Sequence, residues 1–108
     1  MVFQLVKLFR PLKNQLKVKV PILTVAIPTR NRSQTLKKLL GQLEKENGEF
    51  KILVSDNTSS DDTEKMVRNY QKQMKNLEYV RNEKNLGSWG NIYNLYKLTK
   101  TRYLWFLS

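Results

Sequence analysis

The residues best suited to chemistry lie in the stretch 50–63, where an apolar run of strand length ends at a carboxylate. Ile52, Leu53 and Val54 are consecutive apolar residues, which is typical of a strand covered on both faces in a parallel sheet. Asp56 follows, and after it come small polar residues that favour turns and helix caps. In open α/β sheets ligands bind beyond the carboxyl ends of the strands, so Asp56 is a candidate binding residue.

A second polar segment follows another apolar run. Residues 22–27 predict the first strand of the sheet, and this run stops at Pro28. Thr29, Arg30 and Asn31 come next, and their side chains can donate hydrogen bonds or pair with charge. Two predicted strands therefore end in polar segments of the kind that bind ligands.

The elements that must position these residues alternate along the chain. Leucines spaced three and four apart mark one face of the first helix, and Asp61 and Glu64 mark the start of the second. The predicted elements are a strand at 22–27, a helix from Ser33 closed by Asn47 and Gly48, a strand ending at Asp56, a helix at 63–74, a strand at 77–80, a helix at 89–100 and a strand at 103–107. This β-α-β-α-β-α-β order is typical of a parallel α/β sheet with right-handed crossovers. In the third helix Ile92, Leu95, Tyr96 and either Leu98 or Thr99 are predicted to face inward.

Composition limits the kinds of site that the chain can hold. Among its 108 residues there is no cysteine, which excludes disulfides and thiolate chemistry and makes a reducing compartment the simple expectation. There is no histidine, the commonest general base and metal ligand. The formal charge of +11 indicates attraction to phosphates of nucleotides, nucleic acids or an anionic membrane. All nine acidic residues lie between Glu44 and Glu83.

Residues 1–20 form a basic, amphipathic extension that precedes the predicted domain at 21–108. Two interpretations remain open: a short amphipathic helix on anionic lipid, or a poorly ordered extension whose apolar residues pack on the domain or on residues absent from this chain. No apolar run reaches the roughly 20 residues that span a bilayer. Lys7, Arg10 and Lys13 interrupt the apolar core that a secretory signal needs.

Two non-enzymatic functions compete with a small-molecule site. The positive charge, with Tyr93, Tyr96, Tyr103 and Trp105, is compatible with a small nucleic-acid-binding module, although these aromatic residues are predicted at core positions. A chain-pairing module would dimerise through an exposed C-terminal strand. A calcium loop is excluded because its glycine and terminal glutamate are missing, and there is no Walker or Gly-x-Gly-x-x-Gly motif.

Four segments in this order resemble the successive conserved blocks of the family 2 inverting glycosyltransferases with the GT-A fold. They are Val25-Ala26-Ile27-Pro28-Thr29-Arg30-Asn31-Arg32, Ile52-Leu53-Val54-Ser55-Asp56-Asn57-Thr58-Ser59-Ser60-Asp61-Asp62-Thr63, Asn82-Glu83-Lys84-Asn85-Leu86-Gly87 and Tyr103-Leu104-Trp105-Phe106-Leu107-Ser108. The resemblance covers residues 22–108. It implies a Rossmann-like half-domain that binds the nucleotide part of a nucleotide-sugar donor.

The resemblance also implies a set of nucleotide-binding residues. They are Pro28, Thr29, Arg30, Asn31, Asp56, Asn57, Asn85, Gly87 and Asn91. By this resemblance Asp56 accepts a hydrogen bond from the base, and Asp61 is a helix cap. Two positions depart from the family: Arg30 replaces a usual aromatic residue, and Asn57 replaces a usual second carboxylate. A guanidinium can still stack on a base or pair with a phosphate.

The resemblance implies further parts that this chain does not contain. In the family, the strand matching residues 103–107 leads into an Asp-x-Asp motif that holds the diphosphate through Mg²⁺ or Mn²⁺, and the catalytic base lies in a second half. The chain therefore looks truncated in the middle of a domain, and we expect no transferase activity from it alone. By family analogy the acceptor would be a polysaccharide or glycolipid, and the location would be cytoplasmic, peripheral on the inner face of the membrane.

Overall fold

A computed structural model describes residues 3–7, 21–46 and 48–107 of the chain. Within these residues five strands form one sheet in the order β1-β5-β2-β3-β4, with three helices. The elements are β1 (Phe3–Lys7), β2 (Leu23–Thr29), α1 (Ser33–Glu44), β3 (Phe50–Asp56), α2 (Thr63–Gln71), β4 (Leu77–Arg81), α3 (Gly87–Leu98) and β5 (Tyr103–Leu107). The predicted parallel arrangement of the last four strands is confirmed, since β5, β2, β3 and β4 are neighbours and all run in the same direction.

The first strand, β1, differs from both interpretations of the amino-terminal extension. It pairs antiparallel with β5, so that Phe3 lies opposite Leu107 and Lys7 lies opposite Tyr103. A helix is therefore wrong for residues 3–7, and residues 8–20 lie outside the part of the chain that the structure describes. Because β1 and β2 flank β5, the expected exposed edge for self-association at the C-terminal strand is also wrong.

The helices agree with their predicted positions but not with every predicted end. The first ends at Glu44, before Gly48, and Asn47 lies outside the described residues. The second ends at Gln71 rather than at Met74, and the third begins at Gly87, two residues before the predicted start. Within the described residues no helix is both long and apolar enough to cross a membrane.

Two apolar cores lie on opposite faces of the sheet. The larger one is formed with α1 and α2 and includes Leu36, Leu40, Ile52, Val54 and Val67. The smaller one lies on the α3 side of the sheet and contains four buried residues: Ala26, Leu53, Leu95 and Leu104. Only one described helix covers this second face.

The rotation of α3 differs from the prediction. Asn91 and Leu95 are buried, whereas the side chain of Tyr96 is 45% exposed and therefore does not face inward. At 3.6 residues per turn Tyr96 lies about 140° around the helix from Asn91. Of the two alternatives at the end of the helix, Thr99 is buried and Leu98 is exposed. Tyr93 is also exposed, so the two α3 tyrosines are not at core positions.

Candidate functional site

The carboxyl ends of three neighbouring strands form one edge of the sheet. Thr29 at the end of β2 lies beside Asp56 at the end of β3, and Asp56 lies beside Arg81 at the end of β4. The loops that follow these parallel strands meet at the same edge. All nine predicted site residues lie on the strand ends, on these loops or in the first two turns of α3: Pro28, Thr29, Arg30, Asn31, Asp56, Asn57, Asn85, Gly87 and Asn91.

The carboxylate of Asp56 is fully buried and surrounded by protein donors. Its Oδ1 accepts hydrogen bonds from the backbone N–H and the hydroxyl of Ser59, at 2.9 and 2.6 Å. Its Oδ2 accepts from the hydroxyl of Tyr79 and, at 3.3 Å, from Nη1 of Arg81. A carboxylate has about four acceptor positions, and these donors fill them. Hydrogen bonding of Asp56 to a nucleobase stays a prediction, and it requires one of these bonds to open.

Tyr79 and Arg81 are site residues that the sequence patterns did not single out. They are two residues apart on β4, so their side chains lie on the same face of the sheet and reach Asp56 together. Burial raises the pKa of Tyr79, and the hydrogen bond to the Asp56 carboxylate raises it further. The sequence feature that could have identified Tyr79 and Arg81 was their two-residue spacing at the carboxyl end of a predicted strand.

Asn57 is the centre of a second hydrogen-bond network and uses both ends of its amide. Nδ2 donates to Oδ1 of Asn85 at 2.7 Å and to the backbone carbonyl of Gly87 at 3.3 Å. Oδ1 accepts from Nδ2 of Asn82 at 3.1 Å and from the backbone N–H of Leu86 at 2.8 Å. An ionised carboxylate has no donor for the Gly87 carbonyl, so an amide suits these surroundings better than the carboxylate usual in the family.

Asn91 extends this network from α3 to the sheet. Its Oδ1 accepts from the hydroxyl of Ser55 at 2.7 Å and from Nδ2 of Asn82 at 3.0 Å, and its Nδ2 donates to the backbone carbonyl of Ser55 at 3.0 Å. All three side chains are buried. Buried polar groups are stable when their hydrogen bonds are satisfied, so this set holds α3 against β3. Contact between Asn91 and a nucleotide stays a prediction.

Asn31 and Asp61 connect the loop after β2 to the loop after β3. Asn31 has a left-handed backbone with φ 53°, which asparagine tolerates better than most residues. Its Oδ1 accepts from the backbone N–H groups of Ser60 at 2.7 Å and Asp61 at 3.3 Å. The Asp61 carboxylate accepts from the backbone N–H groups of Ser33 and Thr63, which begin α1 and α2, at 3.3 and 3.1 Å. Asp61 thus caps helix starts, as predicted, and the hydroxyl of Thr63 lowers its pKa.

The predicted site residues divide into buried and exposed sets. Thr29, Asp56, Asn57 and Asn91 are buried, Pro28 is half-buried, and Arg30, Asn31, Asn85 and Gly87 are exposed.

The exposed charges at this edge have both signs. Exposed basic and acidic side chains lie on the same strand ends and loops: the basic ones are Arg30, Arg32, Arg81 and Lys84, and the acidic ones are Asp61, Asp62 and Glu83, beside the buried Asp56. The net charge of the edge therefore does not select an anionic ligand. Recognition of a phosphate would depend on where individual guanidinium groups lie.

The carboxylates of Asp56 and Asp61 do not fit a metal site. The oxygens of Asp56 are occupied by four protein donors, and those of Asp61 accept backbone N–H groups. Within residues 3–7, 21–46 and 48–107, no three histidine, cysteine, aspartate or glutamate side chains are close enough to hold an ion together. We therefore assign no step at this site to a metal.

Four parallel strands in a Rossmann-like sheet, with polar loops at their carboxyl ends, define this chain as part of an α/β domain with the GT-A fold. The family model described as "Glycosyl transferase family 2" matches residues 24–108. The chain belongs to this family.

Two relatives illustrate the similarity in sequence. Validoxylamine A glucosyltransferase from Streptomyces hygroscopicus subsp. jinggangensis is 39% identical over 67 residues, which are 59% of this chain and 16% of that protein. The GalNAc(5)-diNAcBac-PP-undecaprenol beta-1,3-glucosyltransferase from Campylobacter jejuni is 40% identical over 67 residues, which are 59% of this chain and 21% of that protein. The chain thus spans about a fifth or less of these relatives.

Solved structures show the same fold. The crystal structure of S. aureus TarS 1-349 has a TM-score of 0.71 and 28% identity, over 79% of this chain and 26% of that one. The same protein in complex with UDP has a TM-score of 0.67 and 27% identity, with the same coverage. The mannosyltransferase PcManGT from Pyrobaculum calidifontis, in complex with GDP-Man and Mn²⁺, has a TM-score of 0.65 and 21% identity, over 76% of this chain and 25% of that one, and supports the fold alone.

Proposed function

We propose that this chain forms the nucleotide-binding part of a glycosyltransferase that uses a nucleotide-sugar donor. The proposal is carried by one observation: three parallel strand ends bring their polar loops together at one edge of the sheet, through Thr29, Asp56 and Arg81. Family membership supports it, as does the similarity to TarS, which has been crystallised with UDP.

In this proposal the exposed and the buried residues have different tasks. Arg30 is exposed at the carboxyl end of β2, where its guanidinium stacks on the base or pairs with the diphosphate. Arg81 is anchored at one nitrogen by Asp56 and has further N–H groups for a phosphate. The buried Asp56, Asn57 and Asn91 hold the loops in position through the bonds described above.

The chemistry of an inverting glycosyltransferase determines which parts of the reaction the described residues could serve. An acceptor hydroxyl oxygen bonds to the anomeric carbon of the sugar as the bond from that carbon to the diphosphate breaks, and a base takes the hydroxyl proton. The described residues would bind the nucleotide that carries the leaving diphosphate, and we assign the base to none of them. We therefore propose that this chain alone binds nucleotide without transferring sugar. We further propose a polysaccharide or glycolipid acceptor, and a peripheral position at the cytoplasmic face of the membrane.

Isothermal titration with a panel of nucleoside diphosphates, with and without manganese, tests the nucleotide site. Substituting Arg30→Gln should weaken binding of the preferred nucleotide about three- to tenfold, as expected for a partly solvated charge-assisted contact. Arg102→Gln is the matched control, because Arg102 is exposed and precedes β5 at the opposite edge of the sheet, and it should leave the affinity unchanged. Asp56→Ala is less informative, because it would leave Tyr79 and Arg81 without their buried acceptor.

Two results would reject the proposal. One is equal weakening by Arg30→Gln and Arg102→Gln. The other is salt-sensitive binding of every nucleotide and of a short single-stranded DNA, because charge alone would then explain the binding.

A further inference from the structure

One side of α3 presents aromatic rings to solvent. The exposed fraction is 82% for Trp89, 59% for Tyr93 and 45% for Tyr96. Their spacing of four and then three residues places them on one stripe of the helix, and we call this stripe the aromatic face. Asn91 and Leu95 are buried on the opposite side, against the sheet. The aromatic face is therefore directed away from the domain core.

The aromatic face lies in a part of the chain that has only positive charges. From Lys84 to Leu107 there are four basic residues and no acid: Lys84, Lys97, Lys100 and Arg102. All four are exposed. Nζ of Lys97 lies 5.1 Å from the centre of the Tyr93 ring, so at least one cation belongs to the aromatic face itself. This combination of aromatic rings and positive charge is complementary to an anionic surface that has an apolar layer beneath it.

We propose that the aromatic face of α3 docks on an anionic lipid surface. Tryptophan and tyrosine favour the bilayer interface, because one end of each ring is apolar and the other is polar. The 12 residues of α3 extend for about 18 Å, which suits a helix lying in the plane of the interface rather than crossing it. Lys97 and Lys100 would then contact lipid headgroups.

Nucleic acid fits the aromatic face less well. Bases stack on open ring faces, whereas the rings of Tyr93 and Tyr96 are stacked on each other, with centroids 6.2 Å apart and an interplanar angle of 20°. The ring of Tyr93 also contacts the ammonium group of Lys97. The stacking and the contact with Lys97 leave Tyr93 and Tyr96 with fewer open ring faces for bases.

Docking through α3 would place the candidate nucleotide site close to the membrane. The helix begins at Gly87, whose carbonyl accepts a hydrogen bond from Asn57 at the carboxyl edge of the sheet. The amino-terminal end of the aromatic face therefore lies beside this edge. The inference does not depend on the proposed transferase function, because lipid binding through α3 requires no nucleotide.

Tryptophan fluorescence with lipid vesicles tests the proposal directly, since the chain contains two tryptophans. Trp105→Phe leaves Trp89 as the only reporter, and its emission should shift to shorter wavelength with vesicles that contain phosphatidylserine but not with pure phosphatidylcholine. If Trp105→Phe folds poorly, the difference between the wild-type chain and Trp89→Phe isolates the same signal. Both measurements report the environment of one exposed side chain.

Vesicle co-sedimentation then distinguishes α3 from the basic extension at residues 1–20. Lys97→Gln should weaken binding about fivefold, the usual effect of one basic residue near an anionic membrane, and Trp89→Ser should weaken it more. Lys37→Gln is the matched control, because Lys37 is exposed on α1, and its effect should be smaller. Circular dichroism checks that each variant is folded.

Several results would overturn the proposal. Equal binding of Trp89→Ser, Lys97→Gln and the wild-type chain would assign lipid binding to other residues. A shift of Trp89 emission that depends on protein concentration without lipid would indicate a second copy of the chain instead. A response of Trp89 to single-stranded DNA but not to vesicles would indicate nucleic acid.

Discussion

Substituting Tyr79→Phe tests whether the buried Asp56 carboxylate depends on its protein donors. The change removes the hydroxyl that donates to Oδ2 and keeps the ring that packs in the larger core. The remaining three donors are the backbone N–H and hydroxyl of Ser59 and Nη1 of Arg81. A hydrogen bond to a charged group contributes about 1.5–3 kcal/mol, so the free energy of unfolding should fall by about 2 kcal/mol.

Tyr70→Phe is the matched control for this experiment. Its hydroxyl donates to the backbone carbonyl of Lys37 over 3.4 Å in an exposed position, so losing it should change the free energy of unfolding by less than about 0.5 kcal/mol. Urea unfolding followed by circular dichroism measures both variants, and equal slopes against urea confirm that the same surface unfolds. If the two variants lose the same stability, the Tyr79 hydroxyl does not stabilise Asp56.

The pH dependence gives a second check on Tyr79. Because the folded-state pKa of Tyr79 is raised above its ordinary value of about 10, the unfolded chain releases this proton first as the pH rises. The contribution of Tyr79 to stability is therefore present below pH 10 and is lost as the pH rises further. The difference in stability between the wild-type chain and Tyr79→Phe should be constant below about pH 10 and should narrow as the pH rises above that value.

Three further substitutions test other parts of the site. Asn57→Asp should lower the free energy of unfolding by about 1–3 kcal/mol at pH 7 and by less at pH 4, because a protonated carboxyl regains a donor for the Gly87 carbonyl. The exposed Asn69→Asp is the control, and an equal loss of stability in it would contradict this reasoning. Gly87→Ala should lower the stability of the folded chain by about 1 kcal/mol, because alanine is strained at the φ of 76° found there. Gly41→Ala should raise the stability, because Gly41 lies inside α1 and the new Cβ would make only an ordinary contact with Tyr70. Thermal unfolding that shifts in the same direction for both variants would contradict this expectation. Asp61→Asn should lower stability at pH 7. Because the pKa of Asp61 is lowered in the folded state, its contribution to stability is lost in acid, so the difference from the wild-type chain should shrink as the pH falls below the ordinary pKa of 3.8. A difference in urea titrations that does not change with pH would contradict this.

Much of the fold followed from local patterns. The apolar run before Asp56 located the end of β3, whereas β2 extends to Thr29, two residues beyond its predicted end; alternation of strands with amphipathic helices indicated a parallel sheet. Since parallel strands end at the same edge, the convergence of Asp56 with the polar segment after Pro28 could also be predicted. The resemblance of four short segments to family 2 glycosyltransferases agreed with the match over residues 24–108.

The contacts within the site could not be predicted in this way. Tyr79 and Arg81 reach Asp56 only because β4 pairs with β3 in a register that sets Arg81 beside Asp56. Asn57 needs its amide only because the Gly87 carbonyl and Asn85 lie within hydrogen-bonding distance. Neither the register between β3 and β4 nor the contacts of Asn57 can be deduced from the spacing of residues along the chain.

The sequence by itself determined, to within a few residues, where β2 to β5 and the three helices lie and which residues come to the carboxyl edge of the sheet, because hydrophobic periodicity and turn residues act locally. Only the tertiary structure decided which face of α3 is buried and that Phe3–Lys7 completes the sheet beside β5. Asn91 faces inward and Tyr96 outward because Asn91 finds Ser55 and Asn82 as partners. A buried polar group is stable only when such partners exist, and partners distant in sequence are set by the fold as a whole.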